Sequence, residues 1–553
     1  MQNRDNLVAY ISDSIREHWD MNALTDFHGQ SATYRDVARK IAKLHILFRA
    51  AGVQAGDKIA LCGRNSAHWG IVFLATITYG AVVVPILNDF KPDTVHHLVN
   101  HSEARLLFVG VNNWENLDPE AMGQLQAAFL INDYSLLMSR NEAINDARAR
   151  LNELFGHDFP ERFTPDDVRY TMRDNDELAL INYTSGSTGF SKGVMLTAGN
   201  LWSNLQYCID RLTFLNRGDS LVSMLPMAHM YGLMVEFLFP FVKGCHICFL
   251  TRTPSPKVIM DAFAAVKPKV IVAVPLIIEK IIRTRVFPLL DKPMMKVLLH
   301  VPFVDDRLLR QIKDRLTQVF GGNLHELIIG GAGLNKDVEV FLRRIRFPYT
   351  VGYGMTECAP LISYAPWDDN RLQSCGRCVD RMQIRVDSED PETVPGVLWV
   401  RGANVMKGYY KNIEATEAAF RDGWMTTGDI CNVDREGFIY IRGRDKNMIL
   451  GPSGQNIYPE EIEQQLNNMP YVAESLIIDA GGGRLEALVV PDFENAERQG
   501  IAMDELHRMM EQNVQQLNGE LPAYSRISST RIFDEEFEKT PKRSIKRYLY
   551  QPH

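Results

Sequence analysis

Short apolar runs recur along most of the chain, with helical patterns between them. Ile59–Cys62, Leu106–Val109, Leu178–Tyr183, Ser220–Leu225, Val270–Val274 and Glu326–Ile329 are such runs. Each is too short for a typical helix and reads as a buried strand. Strands alternating with helices predict α/β layers around largely parallel sheets. Val338, Phe341, Leu342 and Ile345 recur at helical spacing and predict a one-sided apolar face on a helix starting near Asn335. After about residue 395 the texture changes. Leu398–Arg401 and Phe438–Arg442 read as strands, with Asp434–Gly437 as a tight turn. Beyond about residue 445 the pattern is that of a small α+β unit, with helices near Glu460–Asn468 and Ala502–Leu517.

One stretch, Trp69 to Leu87, carries no charge and has the length of a membrane span. Gly80 interrupts it, and Val82-Val83-Val84-Pro85 follows. A helix over about Ala67–Tyr79, a turn and a short buried strand fit better. No transmembrane segment is expected, and peripheral membrane contact and oligomeric state are left open. The first twenty residues are charged throughout and lack the apolar core of a signal peptide.

At 553 residues the chain exceeds a single core and predicts at least two domains. The balance of 60 basic against 68 acidic residues gives no reason to expect a nucleic-acid partner. Eight cysteines are too few for a disulfide scaffold at this length and read as reduced thiols of a cytoplasmic protein. Two CxxC spacings, Cys245–Cys248 and Cys375–Cys378, raise a zinc site. They lie far apart, and in a strand residues three apart face opposite sides.

The strand Leu178–Tyr183 runs into Thr184-Ser185-Gly186-Ser187-Thr188-Gly189-Phe190-Ser191-Lys192-Gly193. Glycines allow close backbone approach, and successive N–H groups and hydroxyls can surround phosphate oxygens beside a lysine. This is not the ordinary G-x-x-x-x-G-K-[ST] phosphate loop, because Ser191 occupies the second glycine position and Gly193 replaces the metal-binding hydroxyl. A P-loop phosphotransferase is therefore disfavoured.

The segment resembles the signature loop of the adenylate-forming superfamily, which includes acyl-CoA synthetases, luciferases and peptide-synthetase adenylation domains. Ser191 stands where the family usually has proline. Further motifs follow in the family's order: Leu225–Gly232, Gly330-Gly331-Ala332-Gly333, Tyr353-Gly354-Met355-Thr356-Glu357, Gly423–Asp429, Gly443-Arg444-Asp445-Lys446 and Gly454–Glu463. The resemblance covers nearly the whole chain and is nearest to long-chain fatty acid–CoA ligases.

It implies a large N-terminal domain over 1–443 of parallel sheets flanked by helices, with a small β-barrel-like part. A small mobile α+β domain over 444–553 is joined at a hinge near Lys446. It also implies residue roles. Thr184, Ser185, Gly186, Ser187, Thr188, Gly189 and Lys192 surround the ATP phosphates. Gly331, Ala332 and Gly333 lie against adenine, Tyr353 stacks on it, and Gly354 and Met355 adjoin it. Thr356 contacts the α-phosphate, and Thr188 and Glu357 hold Mg²⁺. Asp429 accepts from the ribose hydroxyls and Arg444 reaches the ribose. His229, Gly331 and Gly354 line the acyl site, and Gly454, Gln455 and Asn456 serve the thiol half-reaction with CoA.

The pattern breaks at the tail. The family carries a lysine there, in a T-x-x-G-K-I-x-R-like string, that bridges the substrate carboxylate and the α-phosphate. Aligned on Ile545 and Arg547, this position is Ser544. The role falls to Lys542, Lys546 or Arg543, with Lys542 preferred, or the chain adenylates poorly and serves as an acyl or nucleotide binder. Members that take acetate place tryptophan where Gly354 stands, so the resemblance implies an open pocket. Each buried CH₂ adds about 0.8 kcal/mol, which favours a long-chain fatty acid, with medium-chain and aryl acids left open. An acyl carrier protein is the alternative acceptor.

Overall fold

The computed structural model describes residues 5–184, 192–252, 255–290, 304–451, 455–540 and 545–551. Of the residues singled out above, Ser185, Gly186, Ser187, Thr188, Gly189, Ser191, Gly454, Lys542, Arg543 and Ser544 lie outside them.

The largest layer is an eight-stranded sheet in the order Gly408–Tyr409, Lys192–Thr197, Leu178–Thr184, Val82–Ile86, Lys58–Cys62, Ala104–Val109, Ala127–Leu130, Leu136–Ser139. Its five inner strands, from Leu178–Thr184 to Ala127–Leu130, run parallel, and the flanking strands pair antiparallel. Val82–Ile86 is buried at every position, as a parallel strand covered on both faces must be. The uncharged stretch before it forms the helix Ala67–Tyr79, capped where the Ser66 hydroxyl accepts from the Trp69 N–H and ended at Gly80. This helix is almost wholly buried because it packs inside the domain. Among the described residues no helix is long and apolar enough to cross a membrane.

A second sheet joins Ser220–Ser223, His246–Phe249, Asn22–Asp26 and Ser31–Thr33, and a third, all parallel, joins Val270–Ala273, Glu326–Ile329 and Tyr349–Val351. The strand expected to reach Leu225 stops at Ser223. The Met224 and Leu225 N–H groups donate instead to one oxygen of Glu236, both at 2.9 Å, so no neighbouring strand can use them. The helix expected near Asn335 runs over Lys336–Arg344, and Val338, Phe341, Leu342 and Ile345 are all buried.

The part expected to be barrel-like is an open antiparallel sheet. It comprises Met382–Asp387, Gly396–Gly402, Trp424–Val433 and Phe420–Arg421, with Ile439–Arg444 on the same central strand. Its edges stay unjoined, so no barrel closes. The smaller C-terminal domain builds its own core. Val472–Asp479, Leu485–Pro491 and Ile527–Ile532 form a sheet, and the helices Pro459–Leu466 and Met503–Glu520 bury Leu466, Met510 and Leu517 with Ile477, Leu485 and Val489 of that sheet.

Candidate active site

Tyr353 and Asp429 come from different sheets and meet at the end of the large domain. Asp429 lies within Trp424–Val433 and pairs directly across the antiparallel ladder with Arg444. The Tyr353 hydroxyl donates to Asp429 Oδ2 at 2.5 Å, and Arg444 Nε lies 2.8 Å from Oδ1. The Asp429 side chain is 4% exposed whereas that of Arg444 is 48% exposed. Burial pushes the Asp429 carboxyl up from its ordinary range, and Arg444 and the Tyr353 hydroxyl pull it back. A carboxylate has about four acceptor positions. The two observed contacts leave it able to accept further hydroxyl donors.

Glu357 sits in the turn Thr356–Cys358, beside the buried Thr356. Its Oε1 accepts from the Tyr409 hydroxyl at 3.0 Å. Lys192 opens the strand that pairs with Leu178–Thr184, placing it opposite Thr184. Its ammonium lies 4.9 Å from the Tyr409 ring centroid. Among the described residues no cation pairs with Glu357. Nor do those residues gather three side chains able to hold a metal. This donor set fits Mg²⁺, which takes one or two carboxylates and fills its remaining positions with phosphate oxygens and water.

His229 lies on the loop between Ser220–Ser223 and the π-helical turn Gly232–Leu238. Three buried or half-buried side chains pin this loop. Asn65 accepts from the Met227 N–H at 2.8 Å and donates to the Leu225 carbonyl at 2.6 Å. Asn182, inside the buried strand Leu178–Thr184, donates to the Ala228 carbonyl at 2.8 Å. Glu236 holds the loop's entry, as described above. The Tyr231 hydroxyl then donates to the Ile328 carbonyl at 3.1 Å, which ties the loop to the strand preceding Gly331, Ala332 and Gly333. Those three residues are exposed.

Gly354 has a cause other than an open pocket. A Cβ built there would lie 2.2 Å from the Pro360 carbonyl oxygen. The backbone passes too close for any side chain, so in this structure glycine is required by packing before pocket size is considered. Gly354→Ala is expected to cost about 2 kcal/mol, in the range for overpacking, read as a fall in the denaturation midpoint. An unchanged midpoint would return Gly354 to a pocket role alone.

The C-terminal domain meets this face of the large domain. Gln464 Nε2 donates to the Leu334 carbonyl at 2.8 Å, one residue beyond Gly333. Arg283 donates to the Asn467 carbonyl at 3.2 Å and to Asn468 Oδ1 at 2.7 Å. Gln455 and Asn456 are exposed, with Asn456 paired to Leu450 in a two-stranded ribbon. Lys446 is exposed on the short turn Asp445–Asn447. In the tail, Arg547 binds the buried Glu463, and Lys546 Nζ pairs with Glu538 at 2.8 Å. The structure thus gives Lys546 a partner within the tail.

Tyr409, Asn65, Asn182 and Glu236 were not singled out in the sequence. Two of them left a signal. Glu236 is the one charge in the apolar run Leu233–Phe239, and Asn182 interrupts a buried strand. A polar residue in such a place must find a hydrogen-bond partner.

The fold defines a two-domain protein of the adenylate-forming type. Residues 11–410 match the family model described as AMP-binding enzyme, and residues 446–551 match AMP-binding enzyme C-terminal domain. The chain belongs to the AMP-binding enzyme family. It is similar to the long-chain-fatty-acid–CoA ligase FadD15 of Mycobacterium tuberculosis, 28% identical over 520 residues that cover 89% of this chain and 83% of that protein. The long-chain-fatty-acid–CoA ligase of Yersinia pestis is 27% identical, with 85% and 82% covered. Among solved structures, ATP-bound MatB from Rhodopseudomonas palustris superposes with a TM-score of 0.78 at 25% identity, covering 99% of this chain and 98% of that one.

Proposed function

We propose that this protein is an AMP-forming acyl-CoA ligase acting on a long-chain fatty acid. The observation that carries the reading is the convergence of Tyr353, Arg444 and the buried Asp429, together with Glu357 and Lys192, which both meet Tyr409. The names of its relatives support the acyl-CoA product and the long chain.

In this reading a fatty carboxylate attacks the α-phosphorus of ATP, giving acyl-AMP and diphosphate. A thiol of CoA then displaces AMP. No general base is needed for the first step, because a carboxylic acid is ionised at neutral pH. Catalysis is mostly positioning and charge stabilisation. Asp429 accepts from the ribose hydroxyls, and Tyr353 and Arg444 fix its carboxylate while lying against the nucleoside. Gly331, Ala332 and Gly333 leave room for the base, with Met355 beside it. Lys192, Thr184, Thr356 and the glycine loop through residues 185–189 face the phosphates. Glu357 and Thr188 would hold Mg²⁺, which would supply charge neutralisation on the phosphate oxygens. His229 lines the acyl site on its pinned loop.

In this reading the domain boundary lies just after Arg444, because the strand Ile439–Arg444 pairs within the large domain's sheet. Rotation about Lys446 brings residues 454–456 toward the thiol and withdraws the tail. The tail cation is assigned to Lys542, since Lys546 is already paired.

The test mixes protein, Mg·ATP and palmitate with and without CoA, following diphosphate and acyl-CoA. Palmitoyl-CoA formed only with every component present is the expected result. Lys542→Ala is expected to remove most diphosphate release and Lys546→Ala little of it. ATP binding without diphosphate release, for any acid from octanoate upward, would overturn the reading. Diphosphate without acyl-CoA would keep adenylation and replace CoA by another acceptor.

A further inference from the structure

We infer that Tyr409 is a positioning residue for the nucleotide half-reaction, holding the Glu357 carboxylate with its hydroxyl and the Lys192 ammonium with its ring. The inference rests on the ligase reading for the roles of Glu357 and Lys192. Its geometry stands independently.

Glu357 and Lys192 belong to separate segments, 165 positions apart in the chain, and both meet Tyr409. The sequence Lys407-Gly408-Tyr409-Tyr410 shows why. Gly408–Tyr409 forms a two-residue strand antiparallel to Lys192–Thr197, with Tyr409 opposite Val194. Backbone bonds close the clip on both sides. Lys407 N–H donates to the Met195 carbonyl at 2.9 Å, and Tyr410 N–H donates to the Gly193 carbonyl at 2.7 Å. A third bond, from Met406 N–H to the Glu357 carbonyl at 2.8 Å, fastens the same segment to the Glu357 turn. The clip therefore spans both motifs, and Tyr409 is its central side chain.

Gly408 makes the clip feasible. Its φ of 142° and the Thr416 methyl 2.8 Å from a Cβ built there leave no room for a side chain. The Thr416 hydroxyl then accepts from the Tyr409 N–H at 2.9 Å and fixes the tyrosine backbone.

The chemistry of the contact is specific. A phenol donor engages one carboxylate oxygen without neutralising it, which a lysine or arginine would do. The Tyr409 hydroxyl is the donor, reaching Glu357 Oε1 at 3.0 Å. The ring face attracts the Lys192 ammonium through its quadrupole. One side chain thus orients an anion and a cation while keeping them from pairing with each other. A direct Lys192–Glu357 ion pair would cancel the two charges that the phosphates and Mg²⁺ require.

The two functions separate in two variants. Tyr409→Phe keeps the ring and loses the hydroxyl. It is expected to lower the rate of diphosphate release about tenfold and to raise the Mg²⁺ concentration for half-maximal rate about fivefold, the scale of one lost bond to a charged group. The KM for palmitate should stay within about twofold, and calorimetric ATP affinity in EDTA should be unchanged. Tyr409→Leu also loses the ring. It is expected to weaken ATP binding in EDTA by about three- to fivefold, the scale of a cation–π contact.

Tyr409→Phe with wild-type rate and Mg²⁺ dependence would overturn the hydroxyl role. Wild-type ATP affinity in Tyr409→Leu would overturn the ring role. Equal loss in both variants together with a lowered melting temperature would reduce Tyr409 to packing. If the wild-type protein releases no diphosphate with any acid, the ligase reading fails by itself, and the calorimetric comparison still decides whether the ring holds Lys192.

Discussion

Replacing Asp429 by asparagine is expected to raise the KM for ATP about 100-fold. Two hydroxyl bonds to a buried carboxylate are worth about 1.5–3 kcal/mol each, and about 1.4 kcal/mol is tenfold. An amide presents one acceptor oxygen and one donor nitrogen, so it cannot accept on both sides as the carboxylate does. The Arg444 guanidinium would lose its counter-charge, but at 48% exposure it can rehydrate. Little of the effect should therefore be unfolding. The check pairs ATP with its 2′,3′-dideoxy analogue. The wild-type protein should prefer ATP strongly and the Asp429→Asn variant hardly at all. A variant that kept the full preference would remove Asp429 from the ribose.

Glu236 carries the second large effect, on stability. Its oxygen accepts from two successive backbone N–H groups at 2.9 Å, within a side chain that is wholly buried. Glu236→Ala leaves both donors unpaired and opens a small cavity, at about 3–5 kcal/mol. Glu236→Gln keeps an acceptor of the same shape and should behave very differently. Burial raises this carboxyl well above its ordinary value of 4.5. Below that value both the folded and unfolded chains carry the proton, and stability is greatest. Above it the unfolded chain ionises first, so stability falls by about 1.4 kcal/mol per pH unit until the folded value is reached. Glutamine has no such proton. The stability of Glu236→Gln relative to the parent should therefore rise steadily between about pH 5 and 7. Denaturation curves across that range decide it, and a constant difference would mean that Glu236 is ionised in the fold.

Much of the architecture could be read from the chain because buried parallel strands are nearly continuous apolar runs. Glu326–Ile329 has the expected bounds, and so does the helix Ala67–Tyr79. The limits of other strands could not be read, since they depend on tertiary partners. Ser220–Ser223 ends where it does because Glu236 takes the next two N–H groups; the lone charge at 236 was visible in the sequence, but its partners were not. The motif segments named Tyr353, Asp429, Arg444, Glu357 and Lys192, but their mutual bonds join residues far apart and leave no local pattern. Tyr409 sits in a short stretch with neither helical nor alternating periodicity, so nothing marked it. Gly354 adds a constraint that the sequence did not carry, because the Pro360 carbonyl that crowds out a side chain reaches it only in three dimensions.

The two-residue strand Gly408–Tyr409 also bears on how the protein is made. It covers the outer edge of Lys192–Thr197, which among the described residues has no other strand on that side. On a ribosome adding about 5–20 residues per second, that edge waits roughly 10–40 seconds for its partner to be synthesised. Throughout that interval the nascent chain displays an unpaired strand of apolar residues, the kind of edge that recruits other chains. The step that brings Tyr409 to Glu357 and Lys192 is also the one that closes this edge. The growing polypeptide therefore needs shielding there until residue 409 has emerged.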